Sequence, residues 1–289
     1  MMQNGDDIVV DPSQNNSVIG IIDSGVGGLT VAKEVMRQLP RETIYYFGDT
    51  LRCPYGPRSP KEVIQFTFEM IHFLEQFPLK ALLIACNTAT AVALEQAQSA
   101  LSIPVLGVIK PGARAAIKAT REGKIGVIGT QGTIRSQAYK IALQELHPSI
   151  SVHSLACPTL VPLVENGDRS SPEAYKVVAE ALRPFQGKQM DTLILGCTHY
   201  PLLADLIHQV MGSHVRIISS AEETASELST ILHHSGLLAQ KRKFHRFFAT
   251  GSAELFAEIA SDWLGQKIYA EKVELSSFTL YRKKKFFAG

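Results

Sequence analysis

Two segments far apart in the chain share one pattern: Leu82-Leu83-Ile84-Ala85-Cys86-Asn87-Thr88 and Leu193-Ile194-Leu195-Gly196-Cys197-Thr198-His199. Each is an apolar run of strand length, then a cysteine, then two polar residues. A second pair echoes it, Ile19-Gly20-Ile21-Ile22-Asp23-Ser24-Gly25 and Ile125-Gly126-Val127-Ile128-Gly129-Thr130-Gln131. The spacings are close, 106 residues from Gly20 to Gly126 and 111 from Cys86 to Cys197, so the chain reads as two related lobes. Each lobe then carries one cysteine at the carboxyl end of an equivalent strand, the edge where open α/β sheets bind ligands. Two facing lobes would present two thiols to one shared crevice.

The rest of the pattern agrees. Short apolar runs alternate with stretches of helical period, starting with Val18 to Ile22 and then Leu29 to Leu39, the rhythm of a parallel sheet flanked by helices. The expected fold class is therefore α/β, with two pseudo-symmetric lobes, each a mostly parallel sheet flanked by helices, and an active site in the crevice between them. We expect residues 1–110 and 220–289 to form the first lobe and 111–219 the second. Further strands read at 81–85, 104–108, 124–128, 150–155, 192–195 and 215–218. The best-marked helix opens at Ser59-Pro60-Lys61-Glu62, a capping box with proline in the first turn. Its apolar face runs from Val63 to Phe77, and Pro78 ends it. Helices also read at 92–101 and 202–211.

At 289 residues, with 45% hydrophobic and 19% charged, the chain has enough apolar surface for a real core and is far from the composition of disordered chains. A formal net charge of +2 supplies no field to draw it to nucleic acid or an anionic membrane, so a small-molecule partner is expected. No window approaches the roughly 18 apolar residues of a membrane span, and Met1 to Ser17 is polar and acidic, unlike a signal peptide. These features predict a cytoplasmic protein, in which Cys53, Cys86, Cys157 and Cys197 are free thiols. A homodimer is expected only because twofold dimers are the commonest assembly.

Cys86 and Cys197 each follow a buried strand and precede helical pattern, so free N–H groups and the helix dipole are expected to lower their pKa. A single such cysteine packs well as an inert small hydrophobe; two in matching contexts favour chemistry. Paired thiols admit metal ligation, disulfide exchange or two-base proton transfer. Zinc would want two further Cys or His ligands with local spacing, and only His199 is near. Disulfide exchange usually employs a CxxC pair, absent here. Proton transfer needs an acid and a base on opposite faces of a carbon, which two related lobes supply, and inversion of a stereocentre is its natural product.

Asp23-Ser24-Gly25-Val26-Gly27-Gly28 falls in the first strand-to-helix turn, where glycines let backbone donors approach an anion; its spacing is not that of a dinucleotide fingerprint. Asp23 can tune a thiol or simply shape the turn. Pro54-Tyr55-Gly56 lies in a loop able to fold over a site. Glu165 is expected in a loop after another strand, either facing the crevice or solvated. His199 can relay a proton or be structural. The basic-aromatic stretch Lys241 to Phe248 and the tail Arg282-Lys283-Lys284-Lys285 read as exposed faces.

In five motifs the sequence resembles the glutamate racemases of the aspartate/glutamate racemase superfamily, from about Ile19 to about Gly265. They are Asp23-Ser24-Gly25-Val26-Gly27-Gly28, Pro54-Tyr55-Gly56, Ala85-Cys86-Asn87-Thr88-Ala89, Cys157-Pro158 through Pro162-Leu163-Val164-Glu165, and Gly196-Cys197-Thr198-His199-Tyr200-Pro201-Leu202. The resemblance implies a two-lobed α/β fold, no cofactor and no metal, interconversion of L- and D-glutamate, and supply of D-glutamate for peptidoglycan. It implies Cys86 and Cys197 as the acid/base pair, assisted by Asp23, Glu165 and His199. Substrate contacts would come from Asp23, Ser24, Pro54, Tyr55, Gly56, Asn87, Thr88, Thr198 and His199. A related aspartate or other amino-acid racemase, a one-cysteine decarboxylase and a two-lobed ligand-binding protein remain the alternatives. About 18 residues before the first strand, and the basic tail, have no counterpart in the resemblance.

Overall fold

The structure, a computed structural model, describes residues 17–241 and 243–275; most of the N-terminal extension, residue 242 and the basic tail at 282–285 lie outside the described residues. Two parallel sheets organise it. The first contains β1 (Val18–Asp23), β2 (Ile44–Gly48), β3 (Leu79–Ile84), β4 (Val105–Gly107), β9 (Arg246–Ala249) and β10 (Ala270–Lys272), in the order β10-β9-β2-β1-β3-β4. The second contains β5 (Lys124–Gly129), β6 (Ser151–Ala156), β7 (Thr192–Gly196) and β8 (Arg216–Ser219), in the order β6-β5-β7-β8.

The internal echo has a structural counterpart. The run β2-β1-β3-β4 matches β6-β5-β7-β8 strand for strand. The register matches too: Ile19 lies opposite Ala81 in the first sheet, and Ile125, its echo, lies opposite Thr192 in the second. Because the two cysteines follow β3 and β7 at the same register, they occupy equivalent places at the carboxyl edges of two sheets. The central strands β1, β3, β5 and β7 are almost entirely buried, as expected of parallel strands covered on both faces.

Several boundaries differ from the sequence expectations for identifiable reasons. Helix α2 (Pro60–Leu74) has the expected capping box, Ser59 and Glu62 each satisfying the other's backbone N–H, but it ends a turn before Phe77. Helix α3 (Asn87–Ala100) begins directly after Cys86, five residues earlier than its apolar pattern suggests; Thr90 bridges back to the Ile84 carbonyl at 2.8 Å and tightens the turn. After Cys197 comes a 3-10 turn, Tyr200–Leu203, and only then helix α9 (Ala204–Met211). Glu165 is the last residue of the short helix α7 (Leu160–Glu165), not part of a loop.

The stretch 241–248 is not simply an exposed face. Phe244 is exposed, but Arg246–Ala249 is strand β9, with Phe247 and Phe248 buried. The Arg246 guanidinium lies over the rings of Tyr45, Phe77 and Phe248 and pairs with Glu271 at 2.7 Å, so its charge caps an aromatic cluster. Among the described residues no helix is long and apolar enough to cross a membrane.

Candidate active site

The carboxyl edges of the two sheets meet at a closed crevice lined by Ser24, Cys53, Pro54, Tyr55, Gly56, Cys86, Asn87, Thr88, Thr130, Val161, Cys197, Thr198 and His199. Only about 10 Å³ of it is open to a water-sized sphere, the room one water needs. Contacts between the segments that follow the strands of the two sheets seal it. The Gly132 amide donates to the Gly56 carbonyl at 2.9 Å, the Thr30 hydroxyl reaches the Thr198 carbonyl at 3.2 Å, and Thr88 meets Thr130 at 2.8 Å.

The sequence-predicted residues are brought together in two layers. Cys86, Cys197, Ser24, Pro54, Tyr55, Gly56, Asn87, Thr88, Thr198 and His199 line the cavity; Asp23 and Glu165 stand behind that wall. Asp23 accepts from the Gly25 amide at 3.0 Å and from the Thr198 hydroxyl at 3.4 Å. Its burial raises its pKa against the pull of His199 and these donors. Glu165 accepts from His199 Nε2 at 3.1 Å, and His199 Nδ1 faces the Cys197 sulfur at 3.8 Å. A carboxylate–imidazole–thiol chain therefore ends on one of the paired cysteines. Burial opposes charge on His199, but its contacts to Cys197 and Glu165 outweigh burial and lift its pKa to about 10. It is thus an imidazolium at neutral pH.

Cys86 sits at the N-terminus of α3, as expected, yet its thiol is not acidified. Burial, and then the charge of Asp23, push it up to about 12, and the Ala89 N–H and Ser24 hydroxyl offset this only partly. Desolvation of a thiolate outweighs a few N–H groups when the sulfur is fully enclosed. The two cysteines therefore differ: one is kept protonated beside a carboxylate, and the other faces an imidazolium.

The polar wall is oriented from behind. Tyr139, buried on α6 (Ala138–Leu146), donates to Asn87 Oδ1 at 2.7 Å, which fixes the amide and leaves Asn87 Nδ2 buried without a hydrogen-bond partner among the described residues. Tyr55 donates to Asp49, which also accepts from Arg52 and Thr250. An unpartnered buried donor in a cavity wall suits an anionic ligand. Sequence reading missed Cys53, Thr130 and Val161 as wall residues. Cys53 adjoins the Pro54-Tyr55-Gly56 motif, and that adjacency was the available signal. Cys157 is buried in the second sheet's core and does not line the cavity. No group of three or more His, Cys, Asp or Glu that could hold a metal ion occurs among the described residues.

Gly27 faces this machinery. A Cβ there would lie 2.5 Å from His199 Nδ1 and would overlap the Thr198 hydroxyl. The Gly27→Ala protein is expected to lose roughly 10- to 100-fold in kcat/KM, since a displacement approaching 1 Å at a catalytic group costs that much. Steady-state kinetics beside a thermal melt separates misplacement from unfolding.

Comparison with known proteins agrees with this geometry. The profile of the Asp/Glu/Hydantoin racemase family matches residues 19–228. A glutamate racemase from Bacillus cereus is 57% identical over 88% of this chain and 95% of its own length; one from Enterococcus faecalis is 55% identical over 90% and 97%. The crystal structure of a glutamate racemase isoform from Bacillus anthracis superposes with a TM-score of 0.88 at 60% identity, covering 90% of this chain and 98% of that one. That of the Francisella tularensis enzyme, in complex with D-glutamate, gives 0.85 at 35% identity, covering 91% and 99%. Fold, motifs and these relatives agree that the chain belongs to the Asp/Glu/hydantoin racemase family and groups within it with the glutamate racemases.

Proposed function

We propose that the protein interconverts L- and D-glutamate without a cofactor, using Cys86 and Cys197 as opposed acid and base. The observation that carries this reading is that two thiols, delivered by equivalent strands of two different sheets, enter one sealed cavity. One sulfur takes the α-proton as thiolate, the electron pair is left on the α-carbon, and the other sulfur delivers its proton to the opposite face. The roles exchange with the handedness of the substrate. His199, backed by Glu165, carries the proton of Cys197, and Asp23 holds that of Cys86. The substrate's ammonium group offsets the Asp23 charge, which adds to burial in keeping Cys86 protonated.

Carbanion character at the α-carbon is stabilised by preorganised donors around the carboxylate. The orphaned Asn87 amide, Ser24, Thr88 and Thr198 supply them, with Pro54-Tyr55-Gly56 closing the cavity. A cavity with room for one water cannot admit glutamate, so the lobes part to load it and close to exclude solvent.

We divide the lobes as 1–110 with 220 onward, and 111–219. In support, Ala221, Ala225, Leu228 and Leu232 of α10 (Ala221–His234) pack in the first sheet's core, while Ala113 and Ala116 pack with the second. We place the enzyme in the cytoplasm as a homodimer supplying D-glutamate for peptidoglycan. The experiment is chiral analysis of the product after incubation of dialysed, cofactor-free protein with L-glutamate. Appearance of D-glutamate supports the reading; turnover of L-aspartate with glutamate inert would assign a related racemase instead.

A further inference from the structure

A third cysteine enters the same cavity. Cys53, in the loop after β2, has its sulfur 3.4 Å from Glu165 Oε1, the same oxygen that accepts from His199 Nε2 at 3.1 Å. Its other side packs on the Asp23–Gly28 turn: a Cβ on Gly25 would lie 3.0 Å from the Cys53 sulfur. Cys53 follows a strand of the first sheet, whereas Glu165 and His199 flank strands of the second, so the contact crosses the crevice.

We propose that Cys53 is a positioning residue: its S–H, donated to Glu165, holds that carboxylate on His199 and so governs proton transfer at Cys197 but not at Cys86. This inference rests on the two-thiol reading above. The Glu165 side chain is 36% exposed, and among the described residues its other side-chain donor is His199. Without the thiol it is free to turn toward water, and the imidazole loses the acceptor that fixes its ring. Burial, then the charge of Glu165, hold the Cys53 thiol well above the ordinary thiol range, so it stays a donor instead of becoming a competing nucleophile. The neighbours of Cys86 are different groups, Asp23, Ser24 and Ala89; the Cys53 thiol packs beside the turn of Asp23 and Ser24, but the hydrogen bond it donates goes to Glu165.

The test compares Cys53→Ala, Cys53→Val and Cys53→Ser with the wild-type protein, using α-deuterated L- and D-glutamate. We expect the two variants that lack a donor to lose roughly fivefold to tenfold in kcat, the scale of a weak hydrogen bond to a charged group, and serine to restore most of it. Slowing only the Cys197 transfer makes the deuterium isotope effect rise for the enantiomer that Cys197 deprotonates and fall for the one it reprotonates. A general loosening of the crevice moves both in the same direction. In a Glu165→Gln background, Cys53→Ala should cause no further loss.

Wild-type rates in Cys53→Ala and Cys53→Val, isotope effects that move together, or full additivity with Glu165→Gln would each overturn the proposal. Valine fills the space of the thiol, so a melting temperature that falls for alanine alone identifies a packing effect. Failure of the wild-type protein to racemise glutamate would instead strike the underlying reading, which the same measurements report separately.

Discussion

Alanine at either Cys86 or Cys197 is expected to lower glutamate racemisation by about 10²- to 10⁴-fold or more, the range that one positioned acid or base contributes. The two losses should not add in the double variant, because a proton removed on one face is of no use unless one is delivered on the other. Serine should be nearly as damaging: its hydroxyl is a far weaker acid than a thiol, so the base form is scarcely populated. Cys157→Ala is the control. That sulfur packs in the second core, 3.9 Å from the carbonyls of Leu155 and Ala181, and its loss should leave kcat close to wild type. Steady-state racemisation in both directions checks all of these variants. Robust turnover in Cys86→Ala would remove the two-base mechanism.

The largest expected effect on stability lies far from the crevice. Lys80 on β3 is fully buried beside Glu42, with Nζ 2.6 Å from Oε2. Lys80 also donates to the Leu237 carbonyl at 2.6 Å, and Glu42 accepts from the Ala239 amide at 2.8 Å. The pair thus ties the start of β3 to the segment that leads into β9. Taking away one partner strands a charge in an apolar core, which costs about 3–5 kcal/mol, whereas replacing both by uncharged residues of similar volume costs much less. Glu42→Ala and Lys80→Ala should therefore each lower stability by about that amount. The double variant Glu42→Gln, Lys80→Met should be more stable than either. Urea unfolding followed by the fluorescence of Trp263, the single tryptophan, which packs against both cores, reads the difference. Single variants that lose under about 1 kcal/mol would mean that the pair is solvated.

Much of the site was legible because it is written twice. The repeated strand-then-cysteine segments identified the edges at which β3 and β7 end, and the shared register of Ile19 with Ala81 and Ile125 with Thr192 is what makes the repeat visible in sequence. Ser59-Pro60-Lys61-Glu62 was readable because a capping box is entirely local.

What was not legible depends on the third dimension. Strand β2 was missed because an eleven-residue loop, 49–59, follows it and breaks the strand–helix alternation that marked the others. Strand β9 was hidden by flanking basic residues, whose charge suggests exposure until Arg246 is seen lying on aromatic faces. The protonation of Cys86 reversed the expectation from its helix N-terminus, because enclosure by both lobes decides it and no local spacing encodes enclosure. Cys53 became a candidate only when Glu165, more than a hundred residues away, was placed beside it.

In the proposed mechanism two different thiols handle the two faces of the α-carbon. The most direct test is proton NMR of the wild-type enzyme acting on L-glutamate in D₂O, stopped at low conversion, with the enantiomers separated and the α-hydrogen of each examined. With two thiols at work, the D-glutamate formed carries deuterium, delivered by the second sulfur, while the recovered L-glutamate keeps its proton, because the first sulfur holds that single proton and returns it. Equal deuterium in both enantiomers from the earliest times would mean that one exchanging base serves both faces, and would rule out the two-thiol mechanism.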